Sequence, residues 1–195
     1  METIDQRRLD HAEQTIRKGL EAIGSDPQNG YYWVWSGHML KAATLLKYDQ
    51  PQAETVMRSL VQNTIRHFSS HDSPLALTKQ NELILLSILT GDTEDARRIA
   101  QLKATEEHNH PFDVVLNRKL RHALGVADAN HALSYQASTH EAGFFVDIDK
   151  VANREKTDFS NTDMYWKATR KKRYENTIFG QKNIFREVLE KLQRI

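Results

Sequence analysis

Apolar residues in this chain recur at steps of three and four, and the runs that keep this period are broken by capping residues, prolines and glycines. Leu9, Ala12, Ile16, Leu20 and Ile23 describe one face of a helix. Gly24 then offers a C-terminal cap, and SDPQNG (25–30) reads as a turn. A second helix is predicted over 31–47, apolar on most faces and so suited to the centre of a domain. Asp49-Gln50-Pro51 supplies a stop, a cap and a proline fit for a first helical turn. The third helix that follows turns Val56, Leu60, Ile65 and Phe68 toward the core. Ser73-Pro74 repeats the device and opens a fourth helix, which ends near Thr90-Gly91.

Asp92 or Thr93 caps a fifth helix with Ala96, Ile99, Ala100 and Leu102 inward. The segment HNHP (108–111) interrupts it, and a sixth helix uses Phe112, Val115, Leu116, Leu120 and Leu124 before Gly125 closes it. A seventh is predicted over 127–140. Near the end, Ile184, Phe185, Val188, Leu189 and Leu192 form a further apolar stripe, best docked on the same domain. The β-like run GFFVDID (143–149) is too isolated to build a sheet. The fold class is therefore all-α, with about eight or nine helices.

Three segments echo one another: LLKYDQPQAETVM (45–57), ILTGDTEDARRIA (88–100) and ALGVADANHALSY (123–135). Each ends one helix and opens another with a small residue early in it, which lets two antiparallel helices approach closely. The intervals, about 43 and then about 35 residues, are too irregular for a strict tandem array. Antiparallel helical hairpins stacked in a tetratricopeptide-like or bundle arrangement are expected. They divide the chain into a hairpin domain (1–141), an irregular connector (142–160) and a basic C-terminal hairpin (161–195) packed on the same domain.

Composition narrows the chemistry. The absence of cysteine removes disulfides, Cys-ligated zinc, iron–sulfur centres and cysteine nucleophiles, and it suits a reducing compartment. The first turns mix acids, bases and polar residues, unlike a secretory signal, and no apolar run approaches the roughly 20 residues needed to cross a bilayer. A cytoplasmic protein without membrane contact is expected. Of the nine histidines, His67 and His71 have the i, i+4 spacing of a helical zinc pair, and His108 and His110 flank an asparagine. The serines and proline around His71 end the helix too early for that pair, however, and HFSSH lacks a glutamate base. Ser36 and His38 share a helix but point different ways. No nucleophile elbow, phosphate loop or dinucleotide turn occurs. The reading is non-enzymatic, with no catalytic residue, metal or cofactor; the second alternative is a helical enzyme whose site is assembled from scattered residues.

The net charge of +1 is a cancellation. Residues 150–195 hold 12 basic and 6 acidic side chains of the 27 and 26 in the whole chain, so the tail carries +6 and the body −5. The basic heart is MYWKATRKKRY (164–174), where Lys167, Arg170, Lys171, Lys172 and Arg173 lie among aromatic rings. Cations neutralise phosphates and aromatics stack on unpaired bases, so nucleic acid is one candidate partner for this segment. An acidic protein is another.

The Trp-rich second helix, the Gly-Asp turn with its following alanine, and the all-α, cysteine-free build resemble bacterial immunity proteins of polymorphic-toxin systems, over about 31–136. The resemblance implies a cognate protein partner, possibly a toxin domain, blocked by steric cover, and it brings no catalytic residues. Candidate partner contacts, taken from aromatic, loop or charged placement, are Tyr31, Trp33, His71, Asp72, Trp166 and Arg170.

Overall fold

A computed structural model describes residues 5–70, 74–105, 111–126, 182–192 and 194–195. Among these are seven helices: α1 (Gln6–Ala22), α2 (Pro27–Leu45), α3 (Gln50–Ser70), α4 (Leu77–Leu89), α5 (Thr93–Gln101), α6 (Pro111–Ala123) and α7 (Lys182–Leu192). The described residues form no strand, and the all-α class holds for them. The predicted seventh helix over 127–140, the β-like run and the connector lie outside the described residues.

Aspartates start four of the helices in the same way. Asp5, Asp26, Asp49 and Asp92 each accept, at 3.0–3.2 Å, the backbone N–H three residues on, which would otherwise lack a partner. Pro27, just inside the cap Asp26, has no N–H to satisfy. This pairing moves the start of α2 to Pro27 from the predicted Tyr31, so Pro27–Gly30 forms a first helical turn.

Two glycines end helices as the periodicity predicts. Gly91 and Gly125 have φ of +78° and +65°, in the left-handed region that other residues resist. The following N–H groups then reach back, Asp92 to Ser87 at 2.8 Å and Val126 to Arg121 at 2.9 Å. Gly24 does not act this way: α1 closes at Ile23 in right-handed conformation.

Two further expectations are corrected. Pro74 does not open α4, which begins at Leu77. Leu75 is extended, donating its N–H to the Lys103 carbonyl at 2.8 Å and accepting from Thr105 at 2.9 Å in a parallel bridge. The bridge pairs both backbone polar groups of Leu75 with residues 103–105, so the helix starts only after it. The second correction concerns the centre. α2 packs on α1 and α3, whereas α4 packs on α3, α5, α6 and α7 and buries Gln80–Ile88 without a break. The central helix is α4.

α1 and α2 run in opposite directions at very close range. A Cβ added at Gly19 would lie 2.6 Å from the Val34 nitrogen, one at Gly30 would lie 2.6 Å from the Ile23 nitrogen, and one at Gly37 would lie 2.5 Å from Ile16 Cγ1. The remaining core joins Trp35, Met39 and Leu45 to Met57, Leu60, Leu83, Leu86, Ile99, Leu116, Leu120 and Val188. Val188 and Leu192 bury α7 against this body, and Lys191 Nζ donates to the Leu89 carbonyl at the end of α4 at 3.0 Å.

Candidate functional site

The first turns of α4 read Lys79-Gln80-Asn81-Glu82, four polar residues at the head of a helix that is otherwise Leu and Ile. Because α4 is covered on all sides, these side chains enter the interior. Gln80 Nε2 donates to the carbonyls of Ile99 at 3.0 Å and Leu102 at 2.9 Å, satisfying the end of α5. Asn117 of α6 donates to Gln80 Oε1 at 2.9 Å and Asn81 Oδ1 at 2.8 Å. Asn81 in turn donates to the Asp113 carbonyl at 2.9 Å, and Thr78 to Asp113 Oδ2 at 3.2 Å. A satisfied network of this kind fixes the register of α4, α5 and α6.

Glu82 and Trp35 differ. Glu82 is 0% exposed, and neither carboxylate oxygen takes part in a hydrogen bond among the described residues. Its counter-ion is Lys79, with Nζ at 3.6 Å from Oε2. The same ammonium lies 3.2 Å from the centroid of the Trp35 ring. Trp35 is itself buried and its indole N–H also finds no acceptor among the described residues. Burial pushes the Glu82 carboxyl up to about 8, against the pull of Lys79, and the nearby Asp113 charge adds to the rise. Burial also draws the Lys79 ammonium below the usual lysine range, while Glu82 and Asp113 hold it up.

Tyr31 borders this cluster from α2. Its ring stacks on His67 at 5.2 Å between centroids and meets Phe68 edge-on at 4.8 Å. Its hydroxyl shares a short hydrogen bond with Thr64, which itself donates to the Leu60 carbonyl at 2.8 Å. Burial raises the phenol well above the ordinary tyrosine range. Tyr31, expected at a partner surface, is 4% exposed and packs in the core instead. Its position at the start of α2 faces α3, so the aromatic residue is drawn inward. Trp33, two residues on, points outward with 43% of its surface exposed, and Lys18 of α1 rests its ammonium 4.1 Å from the ring centroid.

His71, Asp72, Trp166 and Arg170 lie outside the described residues, as do Lys167, Lys171, Lys172 and Arg173. His67 stacks in the aromatic cluster near the end of α3, and its i, i+4 neighbour His71 lies outside the described residues. Among the described residues no group of three or more His, Asp or Glu side chains is placed to hold a metal ion. No described helix is long and apolar enough to cross a membrane.

The Lys79–Glu82–Trp35 cluster escaped sequence reasoning because Trp35 reads as packing and Lys79 and Glu82 read as surface. The signal was present in the composition of α4. Four polar residues that continue into LILLSIL cannot all be solvated when the rest of the helix demands burial on every face. Comparison with known proteins finds no significant match to this chain among family models, curated proteins or solved structures.

Proposed function

We propose that the chain is a non-enzymatic helical binding protein that neutralises a cognate protein, such as a bacterial toxin domain, by covering its working surface. The observation that supports this reading is Trp33, a large aromatic held on the surface of α2 under the Lys18 ammonium. Tryptophan is enriched among the residues that dominate protein interfaces, and a rigid helix presents it at little entropic cost. The helices stack, in this reading, as antiparallel hairpins in a tetratricopeptide-like arrangement. Ala53 and Ala96, at matching places after the Asp49 and Asp92 caps, are both fully buried and permit close helix approach. The surface presented is preformed, and the mechanism is steric.

A tagged chain captured from the lysate of its own cell, in parallel with and without nuclease treatment, checks the proposal. One protein recovered in constant stoichiometry, whose activity the chain suppresses, is the expected result. Recovery of nucleic acid alone would replace it with the basic-segment reading, in which Lys167 and Arg170–Arg173 contact phosphates.

A further inference from the structure

A buried carboxylate is normally held by several hydrogen bonds or by a close, well-directed counter-ion. Glu82 has neither. Among the described residues its oxygens make no hydrogen bond, and the cation paired with it, Lys79, stands 3.6 Å away, three residues along the same helix. That cation is shared with the face of Trp35, whose own N–H is also unmatched among the described residues. A Leu or Met pair would fill this place at lower free energy. Lys79 is also the part of the cluster that reaches water, with 24% of its side chain exposed against 0% for Glu82.

We propose that Trp35 and Glu82 form a receptor for a primary alkylammonium group, which the chain's own Lys79 occupies in the free state. The aromatic face supplies the cation–π contact, which is strongest when desolvated, and the Glu82 carboxyl, once ionised on the alkaline side, accepts the ammonium N–H groups. Lys79 swings into solvent as the incoming cation takes its place, so one ammonium is exchanged for another and no net charge is buried. The ligand is either a free alkylamine or the lysine side chain of a bound protein. The proposal stands apart from the role of Trp33, because it concerns a different surface and needs no partner for its test.

The test uses the full chain with Trp33→Phe and Trp166→Phe, which leaves Trp35 as the one fluorophore of its kind. At pH 9, where Glu82 is ionised and the amine is still cationic, n-butylammonium should change its emission saturably, while n-butanol, of the same shape and uncharged, should not. Lys79→Ala should tighten n-butylammonium by about tenfold by removing the competitor, and adding Glu82→Gln should reverse that gain. Circular dichroism establishes that each variant keeps its helices. Should Lys79→Ala fail to fold, the wild-type chain decides the matter through reductive methylation with ¹³C-formaldehyde. The Lys79 methyl resonance should sit upfield over the indole and move to its solvent position as n-butylammonium is added. Nα-acetyl-lysine amide, whose one charge is the side-chain ammonium, points to a protein-borne lysine if it binds more tightly than n-butylammonium, and equal binding points to a free amine. Equal responses to n-butanol and n-butylammonium, or a Lys79 resonance that the amine does not move, would overturn the proposal.

Discussion

At the scale of single residues, Glu82 ties the interior to pH. The unfolded chain ionises this carboxyl near 4.5, whereas the folded chain holds its proton up to about 8. Between those values the folded state binds more protons, so stability falls as pH rises, by at most about 1.4 kcal/mol per pH unit. The groups that face Glu82 are Lys79 on its own helix, Asp113 from α6 and Tyr31 from α2. Lys79 works in the opposite sense, but on the alkaline side, toward the ordinary lysine value of 10.5. His38, half-buried and lowered by desolvation, adds stability with rising pH only below about 6.5. Urea unfolding between pH 6.5 and 8 should therefore show declining stability, and Glu82→Gln should flatten that decline. A wild-type profile that rises across this window would contradict the assignment. Tyr31 and Trp33 carry a second lesson at this scale. Neighbouring aromatics in one helix look equivalent in sequence, yet which ring faces α3 depends on where that helix docks.

At the scale of elements, much of the fold was legible because local chemistry wrote it. Asp49, Asp92, Gly91 and Gly125 do in the structure what their residue types predict, since caps and left-handed turns depend on a few adjacent groups. Pro74 and Gly24 were misread because their outcome depends on other parts of the chain. Pro74 precedes a bridge to residues 103–105, and Gly24 follows a helix that closes at Ile23. The close crossing of α1 and α2 was not legible either, because a mid-helix glycine reads only as a weak helix former. Propensity alone predicts that Gly37→Ala stabilises by about 1 kcal/mol. The crossing predicts a loss of about 1–3 kcal/mol, because the new methyl meets Ile16 and the Ala12 carbonyl. Gly24→Ala, with nothing within 4 Å, should be neutral or slightly stabilising. Thermal melts of the two variants decide the sign. Removing the α5 cap with Asp92→Ala should cost about 1 kcal/mol, as read by chemical denaturation.

At the scale of the molecule, α4 joins what sequence separates. α3, α5, α6 and α7 all pack on it, so the C-terminal helix closes a body whose other described helices end by residue 123. Val188→Asp would place an unpaired carboxylate in that contact. It should lower the stability of the whole body by about 3 kcal/mol or more while unfolding stays a single transition. An unchanged transition of the body with early loss of a few helical residues would mean that α7 stands apart. This central role is not legible in the sequence, because α2 is apolar on most faces too and because burial of the polar head of α4 follows from its neighbours.

The central claim is that the chain works by presenting a preformed helical surface to a protein, with Trp33 at the contact. The most direct measurement compares the affinity of the captured partner for the wild-type chain and for Trp33→Ala, by calorimetry. Loss of 2 kcal/mol or more, roughly a thirtyfold weakening, with helix content and melting unchanged, is the predicted result. Equal affinity for the two chains would contradict it.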